Sequence, residues 1–192
     1  MCKYKRKSVS ETCRKYKLRK IGLKTKEQRS ILNKHNELRA LIATGKYPGQ
    51  PGARNLGPLK WSPEAARIAQ TWANQCNFNH DGCRTLKNNV PVGQNLGYFS
   101  KFNVDKIIQM WFDEVKDFNP RLINSYRAVG GAVTSHYTQL VWADTTHVGC
   151  GLTSYDKPYN KDPSKLITIH YLVCNYFPRG NILGRRVYKI SH

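Results

Sequence analysis

The strongest constraint on the fold is a stretch near the end of the chain, KLITIHYLVCNYF at 165–177, which has apolar side chains at both alternating sets of positions. Successive side chains of a strand point to opposite faces, so this stretch predicts a strand that is buried on both faces. HVGCGLTSY at 147–155 is a second strand candidate, and a polar loop with Pro158 and Pro163 separates the two. We expect them to form an antiparallel pair at the centre of a sheet.

Helical segments are available to cover both faces of such a sheet. The first is expected to begin with Thr25 as its cap and to stop at Gly45. The second begins with Ser62 as its cap and Pro63 at its first helical position, and a third ends before Pro120. This pattern predicts an α+β fold, a three-layer α-β-α sandwich with a central antiparallel sheet. The remaining elements are a strand or extended turn at 91–99 and a short helix at 136–143.

Positive charge is concentrated at the two ends of the chain. The protein carries a net charge of +20, and residues 1–29 contain 12 Lys and Arg but only 2 acids. Residues 179–192 add 4 basic residues and no acid. Such extensions favour polyanions, including anionic glycans and anionic lipid surfaces, although a solvated, solubilising extension explains them equally well. No nucleic-acid-binding motif accompanies the charge, so no nucleic-acid partner is expected.

The length of 192 residues suits one hydrophobic core. We therefore expect one folded domain at 25–192, preceded at 1–24 by an irregular, basic arm that disulfides tether. No apolar run is long enough to span a membrane, and a monomer is expected.

The cysteines indicate an oxidising compartment. There are six: Cys2, Cys13, Cys76, Cys83, Cys150 and Cys174. An even number without C-x-x-C spacing favours three disulfides over a zinc site. The chain begins without the apolar core of a signal peptide, so we expect a secreted, extracellular protein whose signal peptide was removed or is missing from this sequence.

Glu114 is the most informative side chain of the third helix. It follows Ile107 and Trp111 and precedes Phe118 at helical spacing, which puts the carboxylate on an apolar stripe. Because burying an unpaired carboxylate is costly, Glu114 is expected to have a cationic or hydrogen-bonding partner. The alternative is a glutamate at the helix edge that reaches solvent.

Histidines are the natural partners of that carboxylate. The candidates are His80, His136, His147 and His170, and sequence spacing does not choose among them. Two histidines and one carboxylate can bind a divalent cation, or they can serve in proton transfer. Nucleophilic catalysis has little support, since there is no G-x-S-x-G motif and the cysteines are assigned to disulfides.

Several separated segments resemble the CAP superfamily, which groups cysteine-rich secretory proteins, antigen 5 proteins and plant pathogenesis-related proteins. SHYTQLVW at 135–142 resembles the first signature, with serine in place of the usual glycine, and YLVCNYFPRGNI at 171–182 matches the second. WANQCNFNHDGCR at 72–84, VGQNLG at 92–97 and MWFDEVKDFNP at 110–120 resemble the insect antigen 5 branch, especially the venom allergens of wasps and ants.

The resemblance implies the same sandwich and a central cleft with two histidines and two acids. By motif, the histidines are His80 and His136, one acid is Glu114, and the other position is Gln94. Many members carry glutamate there, whereas antigen 5 proteins commonly carry glutamine. Because glutamine cannot ionise, it weakens both metal binding and acid–base chemistry. A divalent cation such as zinc would be held only weakly by His80, His136 and Glu114, and no cofactor is required.

Disulfide pairings follow from the same resemblance. Cys150 and Cys174 lie in matched motifs, on the two strands that should pair, and they are expected to bridge. Cys13 is expected to reach Cys76, as the corresponding positions do in antigen 5. Cys2 and Cys83 remain, and they either pair with each other or stay unpaired because the upstream part of the arm is missing.

The function that the resemblance implies is that of a secreted, antigen 5-like venom or salivary protein. Such a protein is a non-enzymatic binding scaffold and an allergen, with a lipid or an anionic glycan as the expected partner. The alternative is a metal-dependent hydrolase that uses the histidine and glutamate side chains of the cleft. Gln94 and the lack of a nucleophile favour the non-enzymatic reading.

Overall fold

The two long strands near the end of the chain form the centre of a five-stranded sheet. The computed structural model describes residues 9–160 and 162–191. Its strands are β1 (Lys17–Ile21), β2 (Lys60–Trp61), β3 (Gly93–Phe99), β4 (His147–Tyr159) and β5 (Asp162–Phe177). Its helices are α1 (Glu11–Arg14), α2 (Thr25–Ala43), α3 (Pro63–Ala73), α4 (Val104–Asp113) and α5 (Ser135–Leu140), with short 3-10 turns at Lys87–Asn89, Glu114–Asp117 and Pro120–Leu122.

The sheet has the strand order β1-β4-β5-β3, and β2 pairs with β4 beside that path. The β4–β5 hairpin is antiparallel, and its register places Cys150 directly opposite Cys174. β3 runs antiparallel to β5, so its Gln94 lies opposite Asn175. The predicted antiparallel hairpin is therefore confirmed, and β5 is covered on both sides as its two-sided apolar pattern requires.

Helices cover the two faces of the sheet unequally, which makes the three layers of the predicted sandwich. One core joins α2, α4 and α5 to one face, through side chains such as Ile31, Ile108 and Leu172. A smaller core joins α3 to the other face, through Trp72 and Val173. The α+β sandwich expected from the sequence is confirmed.

Two glycines of β4 allow α3 to lie close to the sheet. A Cβ atom at Gly149 would come within 2.3 Å of the backbone nitrogen of Ala66. A Cβ at Gly151 would come within 2.3 Å of the Cα of Gln70. Backbone cannot move out of the way as a flexible side chain can, so glycine is the residue that this helix–strand distance requires.

Of the helix caps predicted from the sequence, one is confirmed and one is wrong. Ser62 accepts a hydrogen bond from the backbone N–H of Ala65 at 3.2 Å, so it caps α3 as predicted. Thr25 is wrong as a cap, because it is the first residue of α2 and the backbone N–H of Lys24 donates to Glu27 at 2.7 Å instead. The third helix is shorter than expected, since regular α4 stops at Asp113 and a 3-10 turn continues from Glu114.

The N-terminal arm is not irregular throughout, which corrects the sequence-based expectation. Within it, Glu11–Arg14 form a helical turn and Lys17–Ile21 form an edge strand that pairs with β4. The guanidinium of Arg19 forms an ion pair with Asp156 on that neighbouring strand at 2.5 Å. The sequence pattern did not predict this strand, because the two apolar residues of KLRKI, Leu18 and Ile21, are three positions apart and lack the period of two that a half-buried strand shows.

Two disulfides are present among the described residues. Cys13 is bridged to Cys76 and Cys150 to Cys174. The first ties the arm to the end of α3, and the second joins β4 to β5 inside the larger core. Cys2 lies outside the described residues, so the expectation about Cys2 and Cys83 stays a prediction.

Candidate functional site

Glu114 and His136 form a closely bonded pair where α4 ends and α5 begins. One carboxylate oxygen of Glu114 lies 2.6 Å from Nδ1 of His136. The other accepts hydrogen bonds from the backbone N–H groups of His136 at 2.9 Å and Tyr137 at 3.1 Å. The Glu114 carboxylate therefore accepts hydrogen bonds from backbone N–H groups in the first turn of α5, and these groups have no acceptor within the helix itself.

The pair fixes the orientation of the His136 ring. An ionised carboxylate only accepts hydrogen bonds, so Nδ1 carries the proton and donates it to Glu114. The indole of Trp111 lies nearly parallel to the imidazole, with ring centroids 6.2 Å apart and 13° between the planes. These contacts leave Nε2 as the ring nitrogen that is available to a ligand.

A chain of buried hydrogen bonds, which runs from α2 through the sheet, also holds the backbone carbonyl of His136. The ring of His35 donates from Nδ1 to the carbonyl of Ile31 at 2.8 Å, and its Nε2 accepts from the Tyr176 hydroxyl at 2.8 Å. Asn95 donates to that hydroxyl at 3.3 Å and to the carbonyl oxygen of His136 at 3.0 Å. The position of His136 is therefore set by the sheet and by α2 as well as by α4.

His80 belongs to a second group of residues, centred on Gln94. The amide oxygen of Gln94 accepts a hydrogen bond from Nδ1 of His80 at 3.1 Å and from the backbone N–H of Asp81 at 3.0 Å. Its amide nitrogen donates to Asn175 at 3.0 Å. Gln94 is only 7% exposed, so it lies buried at the base of the polar group of residues.

The surroundings of His80 disfavour protonation of its imidazole. Partial burial is the main cause that lowers its pKa, and the positive charge of Arg84 acts in the same direction. The hydrogen bond with Gln94 opposes this shift. A glutamate in place of Gln94 would add a negative charge, so His80 is harder to protonate beside this glutamine than it would be beside a glutamate.

Two cavities of about 480 Å³ each meet at His136. One is polar, and the side chains that line it include His80, Gln94, Arg84, Arg179 and Asn181. The other is apolar, and its lining includes Phe78, Tyr98, Met110, Trp111 and Ile169. Glu114 lines the apolar cavity and not the polar one.

The cleft residues do not converge as a three-ligand metal site. Within residues 9–160 and 162–191, no group of three or more His, Cys, Asp or Glu side chains is arranged to hold a metal ion. Both carboxylate oxygens of Glu114 already accept hydrogen bonds from α5. The arrangement of His80, His136 and Glu114 therefore does not fit the zinc site that sequence reasoning considered.

The remaining sequence candidates lie elsewhere. His147 contacts the Thr146 hydroxyl at 2.8 Å, and His170 contacts the Ser154 hydroxyl at 2.8 Å, and neither lines the two cavities around His136. Gln139 is buried beside the polar cavity, and it accepts a hydrogen bond from the backbone N–H of Gly180 at 3.0 Å. Sequence reasoning missed Arg84 and Arg179, because only the overall basic charge pointed to them.

Comparison with known proteins identifies the family. A model of the cysteine-rich secretory protein family, abbreviated CAP, matches residues 32–176. The chain belongs to this family. The match includes His80, Gln94, Glu114 and His136.

The relatives with the same pattern are insect venom proteins. Venom allergen 3 of Solenopsis invicta is 42% identical over 203 residues, covering 100% of this chain and 83% of that protein. Venom allergen 5 of Rhynchium brunneum is 42% identical over 180 residues, covering 88% of this chain and 75% of that protein. The antigen 5 resemblance seen in the motifs is thus confirmed.

Solved structures of the CAP family have the same fold. BmVAL-1 superposes with a TM-score of 0.70 at 26% identity, over 88% of this chain and 85% of that one. Venom allergen-like protein 4 of Schistosoma mansoni superposes with a TM-score of 0.67 at 27% identity, over 88% of this chain and 97% of that one. In the described part of this chain, no helix has both the length and the apolar character needed to cross a membrane.

Proposed function

We propose that this CAP protein is a secreted, non-enzymatic binding protein of the antigen 5 type that holds a lipid in the apolar cavity beside His136. The observation that carries the proposal is the cavity itself. Its volume of about 480 Å³ lies within the range of small-molecule sites. Phe78, Tyr98 and Met110 line it while remaining 43–52% exposed, so the apolar surface is open to an entering ligand.

The lining suits a molecule with an apolar body and a single polar end. Three of the described lining residues, Ser100, Glu114 and His136, have polar side chains, and the last two are bonded to each other. The aromatic residues add only the Tyr98 hydroxyl and the Trp111 indole N–H, and the latter is already used on the carbonyl of Leu96 at 3.0 Å. A ligand's polar group therefore has hydrogen-bonding partners at the Glu114–His136 end, and the rest of the cavity offers aromatic and aliphatic contacts. A fatty acid has this distribution of chemistry.

Titration with a dansyl-labelled fatty acid tests the proposal. We expect saturable binding to the full chain, with a blue-shifted dansyl emission as the probe leaves water. Met110→Gln should weaken binding about fivefold, because a half-exposed methionine contributes part of its apolar area. Val129→Gln is the matched control, since Val129 is 51% exposed and does not line the cavity.

Equal weakening by the two substitutions would show that the probe adheres to apolar surface in general. An absence of saturable binding to the wild-type protein would refute lipid binding.

The hydrolase alternative lacks support at the residues that it needs. Glu114 is committed to His136 and the backbone of α5, and Gln94 cannot supply a second carboxylate. Zinc titration combined with a proteolysis assay separates the two functions. We expect no zinc-dependent cleavage of a protein substrate, and cleavage that is lost in Glu114→Gln would favour the hydrolase.

A second candidate partner is an anionic glycan, and the distribution of charge favours it. The net charge is +20, and half of it comes from residues 1–29. A cluster of this kind attracts polyanions through long-range electrostatics that salt screens.

Two observations support a secreted, allergenic venom or salivary protein. One is the pair of disulfides, Cys13–Cys76 and Cys150–Cys174, and the other is the venom allergen names of the relatives.

A further inference from the structure

The polar cavity beside His136 is lined by cations and by no acid. Arg84 and Arg179 contribute two guanidinium groups, and no aspartate or glutamate is among the described residues that line it. Asn181 and Ser135 add neutral polar groups. The two acids nearby are engaged elsewhere, since Glu114 pairs with His136 and Asp81 accepts the backbone N–H of Cys83 at 2.9 Å.

Arg84 holds a hydrogen-bond donor that the protein does not use. Its Nη1 donates to the carbonyl of Asp81 at 2.6 Å, which fixes the guanidinium in place. Its Nε is buried and has no hydrogen-bond partner among the described residues. Leaving a buried charged donor unpaired is costly, so an acceptor from outside the protein would be bound favourably there.

The two arginines repel each other across this region. Burial is the main cause that lowers the pKa of Arg84; the Asp81 carboxylate raises it, and the positive charge of Arg179, a smaller effect, lowers it. An anion placed between two guanidinium groups relieves such repulsion. Guanidinium groups also match tetrahedral oxyanions in geometry, because each presents parallel N–H donors to two oxygen atoms.

We propose that the polar cavity is a binding site for a small tetrahedral oxyanion, a sulfate or phosphate group, held between Arg84 and Arg179. The ligand's source is either the free ion or a sulfate group carried by a glycan, and both present the same chemistry to the cavity. Among the described residues, the site shares only His136 with the apolar cavity, so its existence does not depend on lipid binding.

Calorimetric titration at low ionic strength tests the assignment with three probes: inorganic phosphate, inorganic sulfate and a disulfated heparin disaccharide. We expect a dissociation constant on the order of 1 mM or tighter for at least one inorganic ion, as a few charge-assisted hydrogen bonds would give. Tighter binding of the disaccharide would identify a glycan sulfate as the ligand, and equal or weaker binding would identify the free ion.

Two substitutions and one control locate the site. Arg179→Gln removes an exposed cation at the rim, and Arg84→Lys keeps the charge but removes the Nε donor. Each should weaken binding about tenfold. Arg186→Gln removes an equally exposed arginine that does not line the cavity, and binding should change less than about twofold.

Nuclear magnetic resonance supplies a readout at the proposed donor itself. The Nε–H resonance of Arg84 should shift on addition of phosphate or sulfate and should be missing from the Arg84→Lys spectrum. Equal weakening by Arg179→Gln and Arg186→Gln would show general charge attraction and overturn the proposal. So would an Arg84 resonance that stays fixed while either ion binds, or a failure of both ions to bind.

Discussion

Glu114 uses both of its carboxylate oxygens on α5, one on the His136 ring at 2.6 Å and the other on two backbone N–H groups. A single side chain therefore sets the tautomer of His136 and also caps the start of the helix that carries it. The side chain of Glu114 is only 16% exposed, so water competes little for these bonds. The relationship makes Glu114 a structural residue of the cleft as well as a lining residue of the apolar cavity.

Glu114→Gln should destabilise the protein by about 2–3 kcal/mol, because an amide cannot accept three hydrogen bonds in the same geometry without placing an N–H group against a donor. The free energy of unfolding in urea measures this cost. Asp113→Asn is the matched control, since Asp113 is the exposed neighbour and should change stability by less than about 0.5 kcal/mol. A loss below about 1 kcal/mol in Glu114→Gln would contradict the capping role.

Much of this arrangement could be predicted from the sequence, because its physical causes are local. The two-sided apolar pattern of 165–177 predicted the central strand, and the glutamate on an apolar stripe predicted that Glu114 has a partner. Identifying that partner as His136 required the family resemblance. Spacing alone could not do so, since the two residues are 22 positions apart in the sequence, across irregular chain and short 3-10 turns.

Long-range contacts that leave no periodic signal could not be predicted. Arg39 is buried in α2 and donates to four backbone carbonyls, two of which belong to Leu140 and Trp142 at 2.9 and 3.0 Å. An arginine on a helix ordinarily indicates a solvated face, so its sequence context suggested nothing of this. The sequence also could not predict that the Nε of Arg84 has no hydrogen-bond partner among the described residues, because this depends on which acceptors the folded chain brings near.

Gly151→Ala should destabilise the protein by about 3 kcal/mol or more, since the added methyl would lie 2.3 Å from the Cα of Gln70 in α3. The helix would have to move away from β4, and the small core around Trp72 would lose contacts. Thermal unfolding monitored by circular dichroism measures the effect. Gly57→Ala is the control, because nothing lies within 4 Å of a Cβ there. Similar melting temperatures for the two variants would contradict this packing.

Peptide mapping under non-reducing conditions should yield a peptide pair that contains Cys150 and Cys174, and another that contains Cys13 and Cys76. Replacing Cys150 and Cys174 together by alanine should cost about 3–4 kcal/mol, as expected for a loop with a sequence separation of 24. Unfolding in urea measures the loss. A peptide that joins Cys76 to Cys83 would show that the assignment is wrong.

The basic residues before the first helical turn should dominate retention on heparin. Replacing Lys3, Lys5, Arg6 and Lys7 by glutamine removes four charges from one short segment while keeping Cys2. The salt concentration needed for elution should fall markedly, because closely spaced charges act together on a polyanion. The control replaces four exposed basic residues of the folded body: Lys46, Arg54, Lys101 and Lys106. An equal fall in both variants would show that net charge alone is responsible.

His35 should make the protein less stable in mildly acidic solution. Complete burial is the main cause that lowers the pKa of this imidazole to about 4, and the bond to Ile31 only partly opposes it. The unfolded chain has a pKa near 6.5 at this residue, so it binds a proton between pH 6.5 and pH 4 while the folded protein does not. Stability is therefore fully present above about pH 6.5 and falls as the pH drops towards 4, by up to about 3 kcal/mol from this residue.

In His35→Gln the titrating group is gone, while the amide can still bond to the Tyr176 hydroxyl. The free energy of unfolding, measured in urea from pH 7.5 to pH 4.5, should be lower for the variant at neutral pH, and the gap to the wild type should narrow as the pH falls. A gap that stays constant over this range would mean that His35 is not the residue whose protonation destabilises the fold.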